Sequence, residues 1–163
     1  MKKIVSLVLV VAIVFSFTGT AMAKSNSALD QHALALRVMK SEATRLTGKT
    51  FTGTANLLFP ITDNPKGAKQ METVTQKAMF VSKLLIKAGA ISSPLTSNRL
   101  WKATSKIGMA TDGALLFVIR NNAVSNVAIY LGGFQYYVGS RNIVVREEYN
   151  KSNWNYIGMF PGI

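Results

Sequence analysis

Gly113-Ala114-Leu115-Leu116-Phe117-Val118-Ile119-Arg120, followed by Ser125-Asn126-Val127-Ala128-Ile129-Tyr130-Leu131-Gly132-Gly133, is the stretch that decides the fold. Leu115 to Ile119 is a near-continuous apolar run, the pattern of a central strand. Val127–Leu131 and Phe134–Val138 are separated only by Gly132-Gly133, which reads as a hairpin. Asn142–Arg146 alternates, and Trp154–Phe160 is placed to close the sheet.

Working upstream, the period changes from two to about 3.6. Leu29, Ala33, Leu36, Met39, Ala43 and Leu46 recur at helical spacing, with Ser27 as a cap and Gly48 as a stop. Phe51 to Leu58 predicts a short strand or ordered loop. Phe59-Pro60 through Gln70 predicts an exposed loop, because Asp63, Asn64, Pro65 and Gly67 punctuate it. A second helix is expected from Thr73 or Thr75 to Lys87-Ala88-Gly89. It would bury Val74, Ala78, Val81, Leu84, Leu85 and Ala88 and turn Lys77, Lys83 and Lys87 outward. A short helix is expected around Ser97–Thr104. Helices first and strands after predict an α+β fold, with helices packed on one face of an antiparallel sheet.

The beginning of the chain has a different character. Met1-Lys2-Lys3 is a positive start, Ile4 to about Phe15 is apolar, and Ala21-Met22-Ala23 has the small-residue spacing of a cleavage site. These are the parts of a secretory signal, so residues 1–23 are read as an export segment and 24–163 as one domain. The apolar run is short for a membrane span, and no later stretch would anchor the processed chain. Removing residues 1–23 leaves 140 residues, enough for one sizeable core, and lowers the formal charge from +12 to +10. Inside a cell such a charge would suggest nucleic acid. For an exported chain the nearer polyanions are wall polymers and anionic lipid heads, so no specific nucleic-acid partner is expected. The basic residues spread along the chain without a tight cluster. The chain has no cysteine, so the core must hold the fold without disulfides.

Several segments, in order, resemble the NlpC/P60 family of cell-wall peptidases, whose fold is related to papain. Asp112-Gly113-Ala114-Leu115-Leu116-Phe117 looks like the family's Pro-Gly-Asp-Leu-Val-Phe. Asn126-Val127-Ala128-Ile129-Tyr130-Leu131-Gly132 resembles His-Val-Gly-Ile-Tyr-Leu-Gly. These two carry most of the weight. Lys87-Ala88-Gly89 with Pro94-Leu95-Thr96-Ser97, Leu46-Thr47-Gly48-Lys49-Thr50-Phe51 and Tyr156-Ile157-Gly158 are similar to further family segments. The resemblance spans most of residues 24–163 and implies a papain-like fold.

The family's active residues do not carry over. The resemblance puts its nucleophilic cysteine near Lys77, its base histidine on Asn126, and its orienting polar residue near Val138, or Tyr137 if the register slips by one. A lysine near a helix start is repelled by the dipole that would favour a thiolate. An asparagine cannot take a proton near neutral pH, and valine orients nothing by hydrogen bonding. Without nucleophile, base and orienter the family's thiol mechanism has no proton path. Other chemistry is thinly supplied. His32 is the single histidine, and Asp30, two residues away, would not face it across a helix. The carboxylates show no metal-loop spacing, and no cofactor or metal is expected.

A groove outlives its catalytic atoms. The expected lining is Lys77, Asn126, Tyr130 and Tyr136, with Phe51 at the mouth: amine and amide for a peptide carboxylate or carbonyl, aromatic faces for stems or sugar rings. The leading expectation is an exported, catalytically inactive protein that binds peptidoglycan, its stem peptides, another anionic wall polymer, or a wall enzyme. One alternative is an active hydrolase or transferase with a nonstandard centre around Lys77, Asn126 and Asp112. Another is a toxin-like or protein-interaction module on the same fold.

Overall fold

A computed structural model describes residues 27–60 and 68–163. The expected export segment, residues 1–23, lies outside the described residues. The chain divides into a unit that ends at Leu34 and a compact unit, Ala35–Ile163. Residues 27–46 are helical (α1). Leu29 and Leu34, in the first unit, are exposed. In the second unit Met39, Ala43 and Leu46 keep the four- and three-residue spacing that places them in the core.

Two strands follow, β1 (Ala55–Pro60) and β2 (Lys69–Val74), paired antiparallel as a ribbon with Leu58 opposite Met71. The loop expected over residues 59–70 is thus strand at both ends, and residues 61–67 are outside the described set. The second helix, α2 (Gln76–Lys87), starts after N-cap Thr75, so residues 73 and 74 belong to β2. It ends at Ala88, with Gly89 at φ 76° supplying the left-handed turn. The short helix α3 (Ser97–Ala103) is capped by Thr96, whose hydroxyl accepts the Arg99 N–H.

The remaining strands are β3 (Ser105–Lys106), β4 (Leu115–Arg120), β5 (Ala123–Leu131), β6 (Phe134–Val138), β7 (Val144–Glu148) and β8 (Tyr156–Met159). They form one antiparallel sheet in the order β3-β8-β4-β5-β6-β7. Gly132 and Gly133, at φ 59° and 86°, make the tight turn between β5 and β6.

Alternation along the strands divides the core. Leu115, Phe117, Val127, Ile129, Leu131, Tyr136 and Val138 join the helix-facing cluster with Ala78, Phe80, Val81, Leu84 and Leu85 of α2. Ala114, Leu116, Ala128, Trp154 and Ile157 build a smaller cluster on the reverse face. There the Trp154 indole N–H donates to Gln135 Oε1 at 2.7 Å, which satisfies a buried amide. α2 is buried more widely than its period suggested, because Phe80 and Ser82 are also enclosed. Ser82 Oγ accepts the Leu95 N–H at 3.0 Å and so ties the loop after α2 to the helix.

Candidate functional site

A cleft of about 550 Å³ opens where the first turn of α2 meets the start of β5 and the end of β6. Local sequence builds each wall. Thr75 adopts extended backbone at the N-cap and leads into Gln76 and Lys77. The β1–β2 ribbon contributes Thr73, and Thr54 lies just before β1. The start of α3 brings Thr96, Ser97 and Asn98. From the sheet come Val124, Ser125 and Val138, with Gly139 and Asn142 just past β6.

The irregularity at β5 matters here. Between Val118 and Ile119 the β4–β5 register slips: Val118 pairs with Asn126, and Ile119 with Val124. Ser125 is therefore the extra residue of a bulge, a feature that re-aims side chains at strand ends. Its hydroxyl donates to the Val118 carbonyl at 3.1 Å. Asn98 reaches across from α3, its side-chain oxygen accepting the Val124 N–H at 2.9 Å. That bond fastens α3 to β5 and closes one side of the cleft.

The residues singled out from sequence scatter around this centre. Lys77 and Val138 line the cleft together. Asn126 is half-buried beside the lining residue Ser125, and its side-chain oxygen accepts the Val127 N–H at 3.1 Å. Tyr136 lies fully buried in the helix-facing core. Tyr130 packs with the reverse cluster, edge-on to Tyr149 with ring centroids 5.2 Å apart. Register explains their separation: Tyr136 pairs with Ile129, so the next residue, Tyr130, points through the other face. Phe51 is packed edge-on against Phe80 at 5.6 Å and borders a different hollow. Asp112 accepts the Gly132 N–H near the Gly-Gly turn. It precedes β4, whereas the cleft adjoins that strand's far end, roughly 20 Å away along the strand. It therefore does not join Lys77 and Asn126 in the nonstandard centre that the sequence alternative requires.

Nine of the 13 described lining residues are Thr, Ser, Asn or Gln, and among them Lys77 is the charged one. Among the described residues Lys77 has no hydrogen-bond or ion-pair partner. Thr75 makes no side-chain cap bond, and no acidic residue stands in the first turn of α2. The start of α2, with Gln76 and Lys77 half-buried, thus offers N–H groups that lack an intrahelical partner and the positive end of the helix dipole. Sequence reasoning missed Thr54, Thr73, Asn98 and Ser125. Thr73 signalled itself only through the strand it occupies, and Ser125 only through a bulge that pairing creates. Among the described residues no group of three or more His, Cys, Asp or Glu could hold a metal ion.

No family model matches this chain. No curated protein matches it either. Solved structures do. The P60 domain of antigen MAP1272c from M. avium paratuberculosis superposes with a TM-score of 0.58 at 19% identity, covering 81% of this chain and 96% of that one. The peptidoglycan hydrolase RipB from Mycobacterium tuberculosis superposes with a TM-score of 0.55 at 20% identity, covering 77% of this chain and 64% of that one. The chain has the fold of a P60 domain, as the sequence resemblance implied.

Proposed function

We propose that this protein is an exported wall-binding protein that holds a peptide of the wall, and specifically a free carboxylate on it, without cutting it. One observation carries the reading: among the described residues the cleft combines a single cation, Lys77, with hydroxyl and amide side chains at an uncapped helix start. A carboxylate suits that end of a helix on electrostatic grounds. The amides and hydroxyls supply donors and acceptors for a peptide backbone. Among the described residues no carboxylate, imidazole or thiol lines the cleft to move a proton. RipB is a peptidoglycan hydrolase with the same fold, which favours peptidoglycan stem peptides as the ligand. The segment 1–23 supports an extracellular or wall-associated location. Among the described residues no helix is long and apolar enough to cross a membrane.

The test is co-sedimentation with purified sacculi across a salt series, with mass spectrometry of the supernatant. The expected result is salt-sensitive binding that Lys77→Ala weakens, with no released stem peptide. Absence of sacculus binding would remove the proposal.

A second reading has its own observation. Lys77 shares the cleft with the hydroxyls of Ser97 and Ser125, and an amine can serve as base to a hydroxyl nucleophile. Lys77→Arg separates the two readings. A guanidinium keeps the charge but does not take up a proton, so binding survives the change while any turnover ends.

A further inference from the structure

A second surface lies on the other end of α2. The fold assembles there what the sequence left dispersed. Arg45 donates to both oxygens of Glu42, at 2.9 and 2.8 Å, and Lys83 Nζ lies 3.7 Å from the same carboxylate. Glu42 also lines a hollow of about 370 Å³, with Arg37, Val38, Ser41 and Lys87. Arg45, Lys83 and Lys87 thus act on one carboxylate, Arg37 lines the hollow with it, and that carboxylate is already engaged by Arg45 and Lys83. Arg37 and Lys87 are exposed, with no ion-pair or hydrogen-bond partner among the described residues.

Lys87 also borders a second hollow, of about 470 Å³, whose apolar wall is Phe51, Met79 and Ile86. Lys83 joins the two, since its ammonium also lies 5.8 Å from the centre of the Phe51 ring. Gly53 forms part of the groove. A Cβ there would meet Met79 Cγ at 3.1 Å and Phe51 Cε1 at 3.5 Å. A cationic notch therefore adjoins an apolar groove, with Lys87 at their shared edge.

We infer that this surface docks an acidic, apolar peptide segment of a partner protein: a carboxylate side chain at Arg37 and Lys87, and a neighbouring apolar side chain between Phe51, Met79 and Ile86. Charge complementarity sets the sign of the ligand. The groove decides its class. A phosphodiester polymer is recognised by charge and gains little from an apolar hollow. A lipid surface is engaged by protruding apolar residues, whereas here Phe51 is buried, Met79 is half-buried and Ile86 is only 37% exposed. A peptide carries both chemistries within one or two residues. The surface is separate from the cleft, because Lys77 and Lys87 are ten residues apart on one helix, about 15 Å along its axis. The inference does not rest on the wall-binding reading.

The test is panning of a random dodecapeptide phage library against the protein. Selected peptides should place Asp or Glu within two positions of Leu, Ile, Phe or Met. A synthetic selected peptide should bind about tenfold more weakly to Arg37→Glu/Lys87→Glu. Gly53→Ala, which puts a methyl into the groove without altering charge, should weaken it several-fold, and Lys77→Ala should leave it unchanged. Both double-variant positions are exposed, so the fold is expected to persist, checked by an unchanged melting temperature. Overturning results are selected peptides without the acidic–apolar pattern, peptides retained by the double variant, or polyphosphate or anionic vesicles binding as tightly as the peptide. Retained sacculus binding by the double variant keeps this outcome distinct from failure of the cleft reading.

Discussion

Arg99 of α3 holds Glu72 of β2 in a forked grip, its Nε 3.1 Å from each carboxylate oxygen and its Nη2 on Oε1. The same guanidinium donates to the Pro60 carbonyl and lies 4.3 Å from the Phe59 ring centre. Thr96 adds a hydroxyl bond to Glu72 at 3.1 Å. Since Thr73, Thr96, Ser97 and Asn98 all line the cleft, this pair braces two of its walls.

Arg99→Ala should therefore cost stability and ligand affinity together. Removing one partner leaves a half-buried carboxylate without its charge-assisted bonds, a loss of about 1–3 kcal/mol. Arg99→Lys should recover only part of it, because an ammonium cannot reproduce the fork. Urea unfolding and cleft-peptide titration of both variants provide the measurement.

Lys77→Ala should weaken a stem peptide with a free carboxylate by about tenfold and leave its amidated form nearly unaffected. Calorimetric titration of the two peptides checks this. Equal loss for both peptides would deny the carboxylate its place at the start of α2.

Glu42 sets an acid limb. Hydrogen bonding from Arg45 lowers its pKa from 4.5 to about 2 against the opposing effect of burial, with Arg45, Lys83 and Lys87 adding their charges. A carboxyl whose folded pKa is depressed stabilises the fold above its unfolded pKa and loses that contribution as pH falls through the folded value. Stability should thus decline from about pH 4.5 toward pH 2. Glu42→Gln should lower stability at pH 7 by roughly 1–3 kcal/mol and flatten this limb. Some slope should persist, because Arg99 also lowers the Glu72 pKa. Thermal melts across pH 2–7 would show it.

Gly158→Ala should be among the most damaging single changes. Gly158 is buried in β8 between Lys106 and Leu115, and an added Cβ would collide with the Thr104 hydroxyl and Tyr156 Cε1. Thr104 cannot easily yield, as its hydroxyl donates to the Trp101 carbonyl at 2.8 Å. Overpacking of this kind costs roughly 1–3 kcal/mol. Adding Thr104→Ala should return part of that loss in a double-mutant cycle.

Local pattern made the centre of the sheet readable. Leu115–Ile119 is apolar on both faces because both faces are covered, and Gly132-Gly133 is the turn that the hairpin needs. The helical period likewise located α2. Residues 69–74 were legible only through pairing. Lys69, Gln70, Met71 and Thr73 are exposed, so β2 lacks the apolar alternation of a strand with one buried face. At the site, Lys77 and Val138 come from the family resemblance alone, and both are among the residues that line the cleft. From sequence alone Tyr130 and Tyr136 are expected in one groove, but which face each takes depends on the β5–β6 register. Ser125 depended on a bulge that no one-strand reading contains. The grouping of Arg37, Arg45, Lys83 and Lys87 required knowing how α1 lies against α2.

The large sheet is finished at both rims. On one side β3 has two residues; on the other β7 ends in Arg146, Glu147 and Glu148, all exposed. A second molecule seeking a strand to add finds too little length at one border and mixed charge at the other, so the sheet resists growth into fibrils without any cross-link to restrain it.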